Sequence, residues 1–240
     1  MGRSRPLRKR RALLRAFGAG SASLLAGVSL ARAAQRHTSL ACVVRPQQIE
    51  GPYFVDTRLN RSDIRSDPRS KTVSEGVPLY LTFKVSRTEG SSCLPLAGAQ
   101  VDVWHCDAEG LYSDTDDFQE DTRGSKFLRG YQVTDRSGTA SFTTIYPGWY
   151  PGRTVHIHFK IRVGTQAKGA NPGNEFTSQI YFDDELTDVI HARLPYSKRG
   201  LRKVRNNRDV VSLIGGSKLI LPLHAEKKGY AGTFDISLQM

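Results

Sequence analysis

The sequence contains few cysteines and no long hydrophobic run, and each absence excludes a class of protein. Three cysteines occur in 240 residues, and no two of them form a Cys-x-x-Cys pair. That spacing is typical of zinc sites built from thiolates, so the sequence gives no support to a cysteine-ligated metal site. No stretch of about 20 strongly apolar residues, the length that a membrane-spanning helix needs, occurs in the chain.

Residues 1–34 contain no acidic residue, and their pattern predicts an export signal. Arg10-Arg11 precedes a moderately apolar stretch, 16–31, rich in Gly, Ala and Ser, which ends at the cleavage-site-like Ala31-Arg32-Ala33. The paired arginines resemble a twin-arginine signal, a type that exports folded proteins and suits a metal loaded in the cytoplasm. We expect a periplasmic or extracellular protein, tethered to the membrane instead if the leader stays uncleaved. Residues 35–240 then form one domain with no membrane span.

The net charge of +12 is located mainly in this leader. Residues 1–34 carry eight Lys and Arg, so the remainder carries only +4. The basic run Lys198–Arg208 has no interleaved aromatic residues and is broken by Gly and Asn. Nucleic-acid surfaces concentrate cations on one face of a recognisable binding element. This run instead indicates a solvated loop, and no nucleic-acid partner is expected.

The cysteines fit an exported protein that has one disulfide and one free thiol. Cys42 and Cys93 each lie in a segment that enters the predicted core, so we favour their pairing, with Cys106 buried and free. The sequence alone leaves the other pairings open.

Short alternating runs separated by Gly- and Pro-containing turns predict an all-β fold, an antiparallel β-sandwich with long loops and few short helices. Asp135–Gly138, between two such runs, predicts a hairpin, and Asp183–His191 predicts a short helix with an aspartate cap. The predicted strands are Leu79–Val85, Ala99–Trp104, Tyr131–Thr134, Thr139–Thr144, Val155–Val163, Ser178–Phe182, Lys218–Leu223 and Thr233–Leu238.

The most informative segment runs from Tyr150 to His158. His156 and His158 lie two residues apart in a β-branched run, so both imidazoles face the same side of a strand. Tyr150 precedes them across a Pro-Gly turn, and its phenol can fold back toward the same point. Two imidazole nitrogens and a phenol oxygen suit an oxidised first-row metal better than zinc. An isolated His-x-His pair is, however, about as often a structural feature satisfied by backbone carbonyls.

A second tyrosine, Tyr112, follows the turn at Gly110; alone it indicates only a turn residue packed on the sandwich edge. Together, the ordered set Tyr…Tyr…Arg-x-x-His-x-His resembles the intradiol ring-cleavage dioxygenases, non-haem Fe(III) enzymes that open catechols between the two hydroxyls. Further matching segments are Glu50–Phe54, Val101–Trp104, Gly110–Tyr112, Arg129–Tyr131, Thr143–Tyr150 and Thr177–Phe182.

The resemblance implies that Fe(III) is bound by four ligands: Tyr112, Tyr150, His156 and His158. A free phenol has a pKa of about 10, so binding as phenolate at neutral pH requires a strong Lewis acid, and ferric iron is one. The implied substrates are a catechol and O₂, and the implied product is a muconate-type diacid. Tyr150 is similar in position to the tyrosine that the family releases on substrate binding, so it would also accept a substrate proton.

Five further residues are assigned by the same resemblance. Arg153 would stabilise negative charge on the ring, and Gln179 would lie near the substrate oxygens; their alternatives are a surface arginine and a strand-edge amide. Pro52, Tyr53 and Trp149 are candidates for the pocket wall, with core packing as the alternative. The other histidines are expected to be structural, solvent-exposed or capping: His37, His105, His191 and His224.

The chain departs from the family pattern in two places. Only Pro151 and Gly152 separate Tyr150 from Arg153, whereas the catechol and protocatechuate enzymes of aromatic catabolism carry a longer insert there. The helical N-terminal dimerisation region is also missing. We therefore expect an exported subgroup with a more open cavity, suited to larger lignin- or flavonoid-derived catechols, and leave a homo-oligomer open. The competing interpretations are a non-catalytic β-sandwich binding module and a different His-ligated metalloprotein, such as a copper protein.

Overall fold

The computed structural model describes residues 42–116, 120–164 and 175–240, so the predicted leader and His37 lie outside the described residues. The strands are β1 (Pro78–Glu89), β2 (Ser92–Pro95), β3 (Gln100–Trp104), β4 (Arg129–Val133), β5 (Thr139–Ile145), β6 (His156–Arg162), β7 (Glu175–Tyr181), β8 (His224–Glu226) and β9 (Gly229–Gln239). The helices are α1 (Asp184–His191) and α2 (Val210–Leu213), with 3₁₀ turns at Tyr196–Arg199, Asn206–Arg208 and Gly216–Leu219.

The strands form two sheets, which confirms the predicted all-β sandwich. One sheet has the order β4-β3-β6-β7 and is antiparallel throughout. The other has the order β2-β1-β9-β8, with β5 also paired to β1. β1 and β9 pair in parallel, which the expectation of an antiparallel sandwich did not include. β1 and β9 are far apart in sequence, so no tight turn joins them and constrains them to run in opposite directions.

The core lies between the sheets and follows directly from the alternating pattern. Alternate residues of β1 are buried, as are the core-facing residues of β6. Phe159 of β6 contacts Phe83 of β1 and Phe234 of β9, with ring centroids 5.2 and 5.4 Å apart. Each fully buried side chain of this size contributes about 1.5–3 kcal/mol. The alternation therefore sends every second residue of β6 into the core and the others to its outer face.

The predicted hairpin at Asp135–Gly138 is wrong, although the turn itself forms. The Gly138 amide donates to the Asp135 carbonyl at 2.9 Å, but β4 pairs with β3 while β5 pairs with β1, so the turn joins the two sheets. Gly138 has φ +75°, and a Cβ there would lie 2.2 Å from the carbonyl oxygen of Val85. The same turn residues suit a hairpin within one sheet and a connection between two sheets. Only the strands with which β4 and β5 pair distinguish the two cases.

The predicted strand Lys218–Leu223 is also wrong, whereas the helix prediction is confirmed. Residues Gly216–Leu219 form a 3₁₀ turn, and Ile220 makes a single bridge to Tyr181. Leu219 and Leu221 are still buried, so the apolar alternation is satisfied by core packing without a strand ladder. In α1, the Asp183 side chain caps the helix by accepting from the Leu186 amide at 2.9 Å.

The favoured disulfide is present, between Cys42 and Cys93, and Cys106 is free and buried. The disulfide attaches the start of the segment 42–57 to β2. Among the described residues, no helix is long and apolar enough to cross a membrane.

Candidate metal and active site

The outer face of β6 carries the His-x-His pair. His156, His158, Lys160 and Arg162 alternate with the core-facing residues Ile157, Phe159 and Ile161, and nearly all are buried. The segment 42–57 lies over this face. Gly51 has φ +75°, and a Cβ there would lie 3.3 Å from Cε1 of His158. A side chain at position 51 would therefore crowd the imidazole, and glycine lets the backbone lie close to it.

The four predicted ligand side chains come together at one end of this face. His156 Nε2 lies 3.0 Å from His158 Nε2 and 3.2 Å from the Tyr150 hydroxyl. Tyr112 closes the group, with its ring centroid 5.6 Å from that of Tyr150 and 6.2 Å from that of His158. Three donor atoms thus converge on one point, beside a second phenol from the loop after β3.

The orientation of His156 is set by its own backbone. His156 Nδ1 lies 2.6 Å from the Thr154 carbonyl, which can only accept, so Nδ1 carries the proton. Nε2 is then left with a lone pair that points at His158 and Tyr150. A hydrogen bond from one ring nitrogen to a carbonyl is the usual way in which a metal-binding histidine is oriented.

Burial keeps this group of side chains neutral in the absence of a metal. It lowers the pKa of His156 to about 3 and lowers that of His158 as well, with His156 adding to the effect. It also raises the pKa of Tyr112 and of Tyr150. Within the described residues, His158 Nδ1 has no hydrogen-bond partner, and the Tyr112 hydroxyl has only an imperfect interaction with Tyr150. A buried polar group without a full partner costs about 1–3 kcal/mol.

This donor set fits ferric iron. Among the described residues, no cluster of three or more His, Cys, Asp and Glu side chains forms a metal site. The group at β6 instead offers two neutral imidazoles and two phenols, and the incompletely bonded Tyr112 hydroxyl is available as a ligand. Buried phenols of raised pKa become anionic ligands only beside a strong Lewis acid, which favours a trivalent ion over zinc.

Arg153 lies in a hydrogen-bonded cluster next to the predicted ligands. Its Nε donates to Asp209 at 2.9 Å, and one terminal nitrogen donates to Gln179 Oε1 at 2.6 Å. Although burial opposes the charge, attraction to Tyr150 and Asp209 raises the pKa of Arg153. Gln179 also donates from Nε2 to the Ile49 carbonyl at 3.0 Å. Both ends of the Gln179 amide are therefore engaged, and the structure places it as a support for Arg153.

The pocket-wall candidates have different surroundings. The Tyr53 ring stacks on Tyr112 with centroids 4.4 Å apart and meets Tyr150 edge-on at 6.1 Å. Pro52 is exposed beside it. Trp149 packs in the main hydrophobic core and donates to the Gly200 carbonyl at 3.2 Å, so the structure gives it a packing contact.

His105 lies apart from the four predicted ligands. Both of its ring nitrogens are bonded, to the Thr144 hydroxyl at 2.7 Å and the Cys106 carbonyl at 2.8 Å. Burial lowers the pKa of His105 to about 4. These contacts describe a satisfied buried histidine.

Two residues near the predicted ligands were given no role by the sequence analysis, although Arg129 lies in one of the matching segments. Arg129 is buried and donates to the carbonyls of Ser113 and Tyr53, while its guanidinium carbon lies 5.9 Å from the centre of the Tyr112 ring. Asp209 caps α2 and accepts from Arg153. The aspartate before an apolar pair is a helix-cap signal, but nothing in the sequence links it to an arginine 56 residues earlier.

The other end of the same face is ion-paired. Lys160 lies between Glu50 and Glu175, and Arg162 donates to both oxygens of Asp102, at 2.9 and 2.8 Å. Arg162 also pairs with Asp56 at 3.1 Å. These pairs attach the segment 42–57 and β3 to the strand that carries the histidines.

A comparison with known families decides the relationship. The model of the family described as Dioxygenase matches residues 49–239, which contain all four predicted ligands. The chain belongs to the intradiol ring-cleavage dioxygenase family. This dioxygenase family member is 30% identical to an intradiol ring-cleavage dioxygenase from Tetranychus urticae, with a TM-score of 0.69, over 82% of this chain and 95% of that one.

Two other similarities place the chain within the family. The catechol 1,2-dioxygenase of Candida albicans is 31% identical over 53% of this chain and 41% of its own length. The dioxygenase domain of a carbohydrate-binding fusion protein from Streptomyces sp. SirexAA-E is 27% identical, with a TM-score of 0.55, over 82% of this chain and 99% of that one. The chain spans about half the length of the catechol and chlorocatechol 1,2-dioxygenases that it matches.

Proposed function

We propose that this protein uses Fe(III) and O₂ to cleave a catechol-type ring between its two hydroxyls, giving a muconate-type diacid. The observation that supports this most is the convergence of His156 Nε2, His158 Nε2 and the Tyr150 hydroxyl beside the buried Tyr112. Those four side chains would hold the ion. When bound, ferric iron would draw electron density from the bound catechol and so make a ring carbon reactive toward O₂.

The residues of this chain would supply the proton transfer and the electrostatics. A catechol that binds through both oxygens loses two protons. Tyr150, ionised as a ligand of the ion, would accept one of them, and a solvent hydroxide would take the other. Tyr150 suits this role because its hydroxyl lies 3.2 Å from His156 Nε2, within the group of predicted ligands. General-base catalysis of this kind contributes about 10²–10⁴-fold to a rate.

Arg153 would place its positive charge beside the ring on which negative charge develops. Its contacts with Asp209 and Gln179 fix the guanidinium before substrate arrives, so little reorganisation is needed during the reaction. A preorganised group of this type is worth about 3 kcal/mol in the transition state.

The test is reconstitution of the purified protein with ferric iron. We expect a burgundy colour from tyrosinate-to-iron charge transfer, oxygen uptake with catechols, and a ring-opened diacid carrying both atoms of ¹⁸O₂ by mass spectrometry. A panel of simple, lignin-derived and flavonoid-derived catechols would test the larger-substrate hypothesis. A colourless protein that holds stoichiometric copper or zinc would contradict the proposal, and a protein that binds catechols without oxygen uptake would favour a binding module.

We also propose export by the twin-arginine route. The Cys42–Cys93 disulfide supports this, since structural disulfides are typical of proteins outside the reducing cytoplasm. Replacement of Arg10-Arg11 by Lys-Lys should retain the protein in the cytoplasm, as measured by cell fractionation. Unchanged export would contradict the twin-arginine assignment.

A further inference from the structure

We propose that Asp209 is a positioning residue that fixes both Arg153 and the backbone that orients His156. This inference rests on the proposed function of the same site. The structure supports it with a single buried carboxylate that is shared between the arginine, the backbone just before the strand that carries the histidines, and helix α2.

The two oxygens of Asp209 contact different elements. Oδ2 accepts from Arg153 Nε and from the Thr154 amide, both at 2.9 Å. Oδ1 accepts from the Val211 amide at 2.8 Å and from the Ser212 amide at 3.3 Å, and these two hydrogen bonds cap α2. The side chain is 1% exposed, so water does not compete for these bonds. One oxygen therefore bonds to Arg153 and Thr154 at the candidate site, and the other caps helix α2.

The effect of Asp209 reaches His156 through one peptide unit. The Thr154 amide is bonded to Asp209, and the Thr154 carbonyl accepts the Nδ1 proton of His156 at 2.6 Å. This carbonyl sets both the tautomer and the ring direction of the histidine. A carboxylate that holds Thr154 in place thus supports the metal-binding Nε2 without touching it, as outer partners of metal-binding histidines do in general.

Asp209→Asn separates the two roles. Asparagine caps helices about as well as aspartate, so its single carbonyl oxygen can retain the α2 cap. Its amide NH₂ would then face Arg153 Nε and the Thr154 N–H, which are themselves donors. Asp183→Asn is the matched control, because Asp183 caps α1 in the same manner and its bonded partner there is Leu186. Asp209→Ser, which also retains a capping oxygen, serves if the asparagine variant does not fold.

The first measurement uses metal-free protein and ¹⁵N NMR of side chains. In the native protein we expect a slowly exchanging Arg153 Nε–H and a His156 in the Nδ1–H tautomer. In Asp209→Asn we expect loss of the protected Arg153 signal and a mixture of His156 tautomers. Asp183→Asn should leave both signals unchanged. Both signals intact in Asp209→Asn would overturn the proposal.

The second measurement uses iron-loaded protein. Misplacement of a catalytic group by about 1 Å costs about 100-fold in rate, so we expect kcat to fall about tenfold to a hundredfold in Asp209→Asn, with a smaller change in KM. An equal loss of kcat in Asp183→Asn would show a general stability effect and overturn the positioning role. Absence of ring cleavage by the native protein would contradict the proposed function but not the positioning role of Asp209, because the NMR result does not depend on turnover.

Discussion

The two ends of the outer face of β6 are built from the same alternation but are satisfied differently. Lys160 and Arg162 at one end are matched by carboxylates from three other segments. His156 and His158 at the other end meet two tyrosines, and among the described residues no carboxylate accepts from either imidazole. Both ends are covered by the segment 42–57. Burial alone therefore does not distinguish the candidate site from its surroundings.

The distinguishing feature is incomplete pairing. Buried polar groups are normally hydrogen-bonded, and a native exception calls for an explanation. At the cation end, the partners account for the charges and attach one segment to another. At the histidine end, His158 Nδ1 has no hydrogen-bond partner among the described residues and the buried Tyr112 hydroxyl has only an imperfect one, and a bound ion would give that hydroxyl a partner. The contrast leads to four predictions, from the largest expected effect to the smallest.

Removal of one imidazole should greatly weaken iron binding, whereas removal of a cation at the other end of the face should not. His158→Ala should lower iron affinity by more than the roughly 10–100-fold that follows loss of an outer partner of a metal ligand. Iron content by mass spectrometry and the visible band measure this. Lys160→Met is the control from the other end and should retain iron and colour. A His158→Ala protein that binds iron with native stoichiometry would show that the ligand set is assigned incorrectly.

Tyr150→Phe should retain a fold and lose most of the turnover. Without the phenol oxygen, the catechol proton has no acceptor at this position, so we expect kcat to fall about 10²-fold. The charge-transfer band should also shift, because one of two phenolates is missing. Tyr131→Phe, the same substitution on the partly exposed strand β4, should change neither quantity. An unchanged spectrum in Tyr150→Phe would remove Tyr150 from the ligand set.

Asp102→Asn should show the opposite pattern, a loss of stability without a change of colour. It breaks a bidentate pair with Arg162, whose side chain is 13% exposed. Because Arg162 keeps its pair with Asp56, we expect a loss of about 1–3 kcal/mol. Denaturant unfolding measures this. The exposed pair of Arg65 with Asp63 provides the control, since Asp63→Asn should cost less than about 1 kcal/mol. Loss of iron from Asp102→Asn would mean that the two ends are not independent.

His105 should make stability depend on pH in a window set by its burial. Its pKa is about 4 in the folded protein, against about 6.5 when unfolded, so the unfolded state takes up the proton first as pH falls. The contribution of neutral His105 to the free energy of unfolding is fully present above pH 6.5 and is lost as pH falls toward 4. Between pH 6.5 and 5.5 the loss is about 1 kcal/mol.

The test compares urea unfolding of native protein and His105→Gln, both metal-free, at several pH values in this window. The difference isolates His105 from His191, whose pKa burial also lowers to about 4. Equal pH slopes in the two proteins would show that His105 does not remain neutral in the fold.

Much of the fold could be predicted because it depends on periodicity. Alternation in β1 and β6 sends Leu81 and Phe159 to the core, and the capping aspartate marks the start of α1. The errors arose where local signals are shared by two structures. The turn at Asp135 suits a hairpin or a crossover, and the apolar pattern at 218–223 suits a strand or a buried coil.

The sequence by itself determined that His156 and His158 share a face and that two tyrosines precede them, because strand alternation is local and needs no partner. Only the tertiary structure decided which groups stay unpaired there, that Asp209 lies against Arg153, and that Arg129 lies beside Tyr112. Those contacts join residues far apart in the chain, and their free energy depends on burial and on distances that no single segment specifies.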